Sequence, residues 1–222
     1  MVKISTRKET SVPSAEVSYH ERRALDRLIF FSDGVFAIAI TLLVLNVALP
    51  ATQPGSVATA LPSALLATVP KLFSYALSFL VIGAYWMAHQ RTFHYIERYD
   101  RRLAWLNLFF LLFIALVPFP TGVLSAYGDQ LVAVILYAAT LAIIGLLLSL
   151  LWFYASHNHR LVAKMLTAQH IHVTTLRNAV PPLAFLASIG IAFVSIPAAE
   201  ATWVLVFAIN AVLVPRIINI TI

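Results

Sequence analysis

The 222-residue chain contains no cysteine and few charged residues. Without cysteine it can form neither disulfides nor thiolate metal sites, and the sequence leaves its redox compartment open. Charged residues make up 11% of the chain, whereas soluble proteins average about a quarter. Hydrophobic residues make up 61%. This combination predicts an integral membrane protein rather than a soluble domain.

Long apolar runs predict an all-α, multi-pass membrane protein with six transmembrane helices. At about 1.5 Å per residue, an apolar helix of about 20 residues crosses the hydrocarbon core of a bilayer. Pro118 and Pro120 should kink or end the third helix. The short apolar stretch between Pro54 and Pro70 is either an outer-surface helix or the first turns of the second span. The six predicted spans cover about residues 28–49, 72–88, 103–123, 131–154, 176–196 and 202–218.

The basic residues predict the orientation of these spans. With a cytoplasmic N-terminus, Lys71 is the only one of the 15 lysines and arginines on the outer side, in keeping with the positive-inside rule. Both termini are then cytoplasmic, residues 1–20 form a disordered tail, and residues 21–222 form one transmembrane domain. The same asymmetry accounts for the net charge of +6 without any nucleic-acid partner.

The first span is more polar than a membrane anchor needs to be. Its sequence, RLIFFSDGVFAIAITLLVLNVAL, includes Asp33, and a carboxylate inside a bilayer costs several kcal/mol unless it is paired or hydrated. At about 100° per residue, one stripe of the helix carries small and uncharged residues: Gly34, Ile38, Thr41, Leu42 and Leu45. Asp33 lies about 140° from Ile38 on this helix, so its partner should come from another helix or another subunit.

The inner end of the second span offers candidate partners for Asp33. Trp86, His89 and Phe93 share one helix face because they follow the spacing of helical neighbours. A hydrogen-bonded cluster of Arg27, Ser32, Asp33, Trp86 and His89 would satisfy the buried acid. The alternative is that Trp86 is an interfacial belt residue and His89 is solvated.

Two short motifs stand at the inner ends of the first two spans. Arg27, Phe31, Ser32 and Asp33 form the pattern RxxxFSD at the start of the first span, and Trp86, His89 and Phe93 form WxxHxxxF. In these motifs the chain resembles the transmembrane protein 175 family of potassium channels. The resemblance implies a potassium-selective cation channel that lacks the TVGYG filter. It also implies a homotetramer of single six-span subunits, with the first helices around the pore.

The resemblance further implies which residues line the pore. Ile38 would form a hydrophobic constriction, and Thr41, Leu42 and Leu45 would line the path beside it. No cofactor or bound metal is implied beyond the permeant potassium ion. The partners would be further copies of the chain and membrane lipid, in the plasma membrane of a prokaryote.

Other interpretations of the same residues remain open. The stripe could be ordinary helix packing, and Asp33 with His89 could serve a proton-conducting channel or a secondary transporter. A transporter would favour an internal repeat and a midplane binding site, and neither is visible in the sequence. Asp33 is the only acid that we place well inside a span, so the paired groups of an intramembrane enzyme are missing.

Overall fold

The computed structural model describes the backbone of residues 14–47 and 57–205, and the side chains of residues 19–47 and 61–205. Helices joined by short loops make up this part of the chain, apart from one isolated β-bridge between Ile96 and Val162, which confirms the all-α prediction. The helices are α1 (Ser14–Leu42), α2 (Val57–His94), α3 (Arg101–Leu116), α4 (Pro118–Tyr127), α5 (Leu131–Ser156) and α6 (Ala168–Ala192). Short 3-10 turns follow α1 at Leu43–Asn46 and α5 at His157–His159.

Four helical segments in the described part are long and apolar enough to cross a membrane: Tyr19–Asn46, Leu61–His94, Arg101–Tyr127 and Leu131–His159. They coincide with the first four predicted spans. Helix α6 covers most of the fifth but begins at Ala168, ahead of the expected residue 176. Residues 196–205 are helical, whereas most of the sixth predicted span, 202–218, lies outside the described residues. The protein is an integral, multi-pass membrane protein.

Helix α1 begins earlier than the sequence suggested. It starts at Ser14, inside the segment expected to be a disordered tail, whereas residues 1–13 lie outside the described residues. Extending a helix that has already formed adds one hydrogen bond for each residue fixed, which costs far less than starting a new one. Leu25 is also buried, so the extension is anchored to the protein well before the apolar run.

Helix α2 is longer than expected because the stretch before Pro70 belongs to it. It runs unbroken through Pro62 and Pro70, so the alternative of a separate outer-surface helix is wrong. Proline lacks the N–H that would bond the carbonyl group four residues earlier, but membrane helices tolerate it where the local structure satisfies that carbonyl group. Two hydroxyl groups of α2 also bond its own backbone: Ser74 donates to the carbonyl of Pro70 at 3.2 Å, and Thr68 donates to that of Ala64 at 2.8 Å.

Pro118 separates α3 from α4, at the position where the sequence predicted a kink. The carbonyl group of Pro118 accepts a hydrogen bond from Asn46 Nδ2 at 2.8 Å, which ties the end of α1 to the break. A Cβ atom at Gly122 would lie 2.8 Å from Asn46 Oδ1, so this contact requires glycine there.

The helices pack around α5, while α1 lies at the edge of the protomer. In the most apolar continuous stretch of 18 residues, 56% of the residues are buried in the segment that contains α5, but only 22% in the segment that contains α1. Tyr137 and Leu141 of α5 are fully buried, and Tyr85 of α2 donates to the carbonyl of Leu141 at 2.8 Å. Much of the apolar surface of α1 is therefore left for contacts outside the protomer.

Candidate functional site

Helix α1 has two unlike faces. One face is buried in the protomer and carries Ser32, Phe36, Ala39 and Leu43, which recur at helical spacing. The opposite face carries the predicted pore residues. Ile38 is 60% exposed, Leu42 42% and Leu45 72%, and Thr41 is exposed beside them. The stripe thus faces out of the protomer, and ordinary packing inside one subunit does not explain it.

The C-terminal end of the stripe is not α-helical. The α-helix ends at Leu42, and Leu45 belongs to the 3-10 turn Leu43–Asn46. Three residues complete a turn of a 3-10 helix, so Leu45 lies directly above Leu42. The tighter turn therefore keeps Leu45 on the stripe while Leu43, between them in sequence, is buried.

Thr41 presents an oxygen atom on the exposed face. Its hydroxyl group donates to the carbonyl of Ile38 at 2.9 Å. A hydroxyl group that donates in this way keeps its lone pairs free to accept. Thr41 can therefore offer oxygen to a cation or a water molecule outside the protomer.

Asp33 is bound by two donors from α2. Its Oδ1 atom accepts hydrogen bonds from Trp86 Nε1 at 2.8 Å and from Gln90 Nε2 at 2.5 Å. Its partners come from another helix, as its position around the helix axis predicted. Hydrogen bonds to an ionised carboxylate are about twice as strong as those between neutral groups, so this pair of donors joins α1 firmly to α2.

Ser32 and His89 are joined through Asn107 of α3. Asn107 Nδ2 donates to Ser32 Oγ at 2.9 Å, and Asn107 Oδ1 lies 2.9 Å from His89 Nε2. Ser32 Oγ in turn donates to the carbonyl of Leu28 at 2.8 Å. All three side chains are fully buried. The amide of Asn107 therefore links α1, α2 and α3 at one point.

These contacts determine which ring nitrogen of His89 carries the hydrogen atom. Because Asn107 Oδ1 is an acceptor, His89 Nε2 carries the hydrogen. The imidazole stacks on Phe93 at 4.2 Å and on Phe110 at 5.5 Å between ring centroids. Its Nδ1 atom has no hydrogen-bond partner among the described residues. The ring is thus held as a neutral tautomer in an aromatic cage, and the expectation that it could be solvated is wrong.

The single predicted cluster is therefore two networks on neighbouring residues. Asp33 pairs with Trp86 and Gln90, whereas Ser32 pairs with Asn107 and His89. Arg27 is exposed, and in the described part of the chain no hydrogen bond or ion pair joins it to either network. Arg27 lies nearer the interface, where water can solvate a guanidinium group, so it needs no buried partner. Phe31 is 52% exposed and belongs to neither network.

Two residues of these networks were missed from the sequence. Gln90 lies beyond the predicted end of the second span, about residue 88, yet α2 continues to His94. Asn107 stands alone in an apolar run, LAWLNLFFLLF. An isolated amide in a span is itself a signal, because it has no water to bond and must find a protein partner. Ser32, its partner, lies 75 positions away.

Known proteins share this architecture. The family model described as "Endosomal/lysosomal potassium channel TMEM175" matches residues 27–118. A potassium channel of Streptomyces collinus is 39% identical over 193 residues, which cover 83% of this chain and 92% of that protein. This chain belongs to the TMEM175 family.

The fold similarity extends over nearly the whole chain. The crystal structure of a lysosomal potassium-selective channel TMEM175 homolog from Chamaesiphon minutus has a TM-score of 0.76 and 29% identity, covering 86% of this chain and 98% of that chain. An "Endosomal/lysosomal proton channel TMEM175" of Danio rerio is 30% identical over 146 residues, or 66% of this chain and 28% of that protein. The matched TMEM175 range, 27–118, contains every residue of both networks.

Proposed function

We propose that this cation channel conducts potassium selectively through a pore lined by the α1 helices of four identical subunits. The observation that carries the proposal is the exposed, uncharged stripe of α1, set opposite a fully packed face. An exposed apolar face suits lipid as well as a pore, but the Thr41 hydroxyl group on this face favours a wet axis, around which rotational symmetry brings four copies together. The relatives named potassium channels support the same conclusion.

The stripe supplies two layers with different chemistry. A ring of four Ile38 side chains forms an apolar constriction, which closes by dewetting when it narrows and conducts when it widens. A ring of Thr41 hydroxyl groups replaces part of the hydration shell of the ion, and Leu42 and Leu45 line the path beside it. No charged residue lies on the stripe, so selectivity rests on ion size and hydration and is moderate.

The topology completes the proposal. Residues 21–222 form one channel domain with six spans, preceded by a cytoplasmic segment, and both termini are cytoplasmic. The composition of the inner and outer loops supports this orientation, and the bacterial relatives support a prokaryotic plasma membrane. Lipid and the other three subunits then cover the exposed apolar surface of each protomer.

Reversal potentials test the ion selectivity. Purified protein in a planar bilayer, with potassium on one side and an equal concentration of sodium on the other, should give a reversal potential that is negative on the potassium side, which corresponds to a potassium-to-sodium permeability ratio above one. The mass of the assembly, after the bound detergent has been subtracted, should equal that of four chains of 24.5 kDa each. Saturable uptake coupled to a second ion would contradict the channel and favour a secondary transporter.

Proton conduction is the alternative function, and two observations favour it. Animal relatives are named proton channels. The buried His89 is also linked through Asn107 to Ser32, the residue next to the half-buried Asp33 in sequence. A pH gradient imposed across the bilayer at equal potassium concentration separates the two functions. A reversal potential that follows the pH gradient, and is lost in His89→Gln, would establish the proton path.

A further inference from the structure

A groove with a largely apolar lining lies between α3 and α5. Its volume is about 490 Å³. The α3 wall is formed by Arg102, Trp105, Leu106 and Phe109, and the α5 wall by Leu150, Phe153, Tyr154 and His157. Both walls follow the same spacing, which sets their side chains on one face of each helix. Arg160, in the loop after α5, completes the groove.

The groove is polar at one end and apolar along the rest. Arg102 lies in the first turn of α3, and His157 directly follows α5, so the two antiparallel walls place their basic residues at the same end. Toward the bundle centre the walls are aromatic and aliphatic. Trp105 and Phe153 are both 58% exposed and Phe109 is 52% exposed, so no element of the described protomer covers them.

The basic end is held in place by the protein. Arg160 Nε lies 3.7 Å from Asp100 Oδ2, and its guanidinium group stacks 4.7 Å from the Tyr154 ring centroid. The Tyr154 hydroxyl group donates to the same Asp100 oxygen at 2.5 Å. The loop is fixed to the other inner loop, where Leu161 accepts from the backbone of Glu97 at 2.9 Å. Arg160 is therefore ordered before any ligand binds.

We propose that this groove binds an anionic phospholipid of the cytoplasmic leaflet. The phosphate group contacts Arg102 and Arg160, and an acyl chain lies along Trp105, Phe109 and Phe153. The negative charge of Asp100 offsets the positive charge of one of the two arginines. The basic end of the groove therefore keeps a net positive charge, which complements a headgroup of negative net charge. Basic pockets between spans on the cytoplasmic side bind such headgroups, and the predicted orientation sets the basic end on that side. Lipid binding in this groove is independent of whether the protein conducts ions.

Native mass spectrometry of the full-length assembly tests the proposal. The protein is titrated with phosphatidylglycerol and with phosphatidylcholine, and the dissociation constant of each is compared. The double variant Arg102→Gln/Arg160→Gln should weaken phosphatidylglycerol binding about 25-fold, since each of the two basic residues near an anionic surface contributes about fivefold, while phosphatidylcholine binding changes little.

The matched control is Arg22→Gln/Arg23→Gln. It removes the same charge from exposed arginines of α1 on the same side of the membrane but outside the groove, and should leave the preference for phosphatidylglycerol intact. If the double variant does not fold, Arg102→Gln alone serves as the test, because it leaves the ion pair of Arg160 with Asp100 in place.

Three results would overturn the proposal. Equal phosphatidylglycerol affinity in the wild type and the arginine variant would exclude the groove as the site. Displacement of the lipid by millimolar inorganic phosphate would show a simple anion site in which the apolar walls play no part. Loss of the four-chain assembly in the variant, with lipid binding unchanged, would show that another subunit covers the groove.

Discussion

At the scale of single residues, Ile38 carries the clearest functional consequence. Ile38→Asn places an amide group in the proposed apolar ring, which wets the constriction. We expect the single-channel conductance to rise and the preference for potassium over sodium to fall. Recordings in a planar bilayer with potassium on one side and sodium on the other measure both the conductance and the ion preference.

Leu112→Asn is the control for Ile38→Asn. Leu112 lies on α3 and is 61% exposed, nearly the same as Ile38, so the substitution introduces the same group at equal exposure on another helix. Its currents should match those of the wild type. Unchanged currents in Ile38→Asn itself would remove Ile38 from the pore.

Asp33 has a structural role that separates it from the stripe. Asp33→Asn keeps an oxygen acceptor for Trp86 and Gln90 but removes its charge, so the two hydrogen bonds lose about half their strength. We expect a loss of about 1 kcal/mol of stability and a lower yield of tetramer, with the reversal potential unchanged. Thermal unfolding and size-exclusion chromatography in detergent measure the first two quantities.

Trp86→Phe provides a comparison for Asp33→Asn because it removes one of the two donors and leaves the charge. It should lower stability by a similar amount. A fully assembled Asp33→Asn protein that has lost ion selectivity would contradict the structural role and bring Asp33 into the ion path.

Asn107 is the residue on which the second network depends. Asn107→Leu leaves Ser32 and His89 buried without their shared partner, and a buried unpaired group costs about 1–3 kcal/mol. We expect a loss of roughly 2 kcal/mol in thermal unfolding. In a double-mutant cycle with His89→Phe, the two effects should be clearly less than additive. Full additivity would mean that the bond between Asn107 and His89 contributes nothing.

At the scale of the helices, the predictions succeeded where periodicity decides the outcome and failed where distant partners do. The spacing of Ile38, Leu42 and Leu45 was enough to define a stripe, and the structure exposes that stripe while burying Phe36 opposite. The split of the network was not predictable in this way. It depends on Asn107, and the sequence alone does not say which span lies beside Ser32.

The length of α2 was underestimated for a related reason. Pro62 and Pro70 are strong helix breakers in water, where freed carbonyl groups simply hydrate. Inside a membrane an open break would leave further backbone groups without water, so a continuous helix that loses one hydrogen bond at each proline is the less costly arrangement. Helix-breaking signals therefore weigh less inside the spans of this chain than in its loops.

The packing of α5 against α6 gives a test at this scale. A Cβ atom at Gly145 would lie 2.7 Å from Pro182 Cδ, whereas one at Gly190 would have no atom within 4 Å. Gly145→Ala should therefore force the two helices apart and lower stability by about 1–3 kcal/mol. Gly190→Ala should be neutral or stabilise α6 by up to about 1 kcal/mol. Thermal unfolding of both variants measures the difference, and equal stability would mean that α6 shifts freely against α5.

At the scale of the whole molecule, the described protomer has two exposed apolar surfaces. Helix α5 is the most buried of the four spanning segments, but α1 and the walls of the α3–α5 groove leave large apolar side chains exposed. The two surfaces differ in chemistry. The α1 stripe is uncharged along its length, as suits a path for ions, whereas the groove ends in arginine, as suits a lipid headgroup. Each surface thus points to a different neighbour.

The absence of cysteine allows a direct test of which surface meets water. Leu45→Cys, on the stripe, should react with a positively charged, membrane-impermeant thiosulfonate reagent. Leu112→Cys, similarly exposed in the protomer, should react roughly tenfold more slowly or not at all, because a thiol in hydrocarbon does not ionise. Labelling at Leu45→Cys should also block potassium current, since four added charges would stand in the proposed pore. Fast labelling of Leu112→Cys together with a silent Leu45→Cys would mean that α1 faces lipid and that ions cross elsewhere.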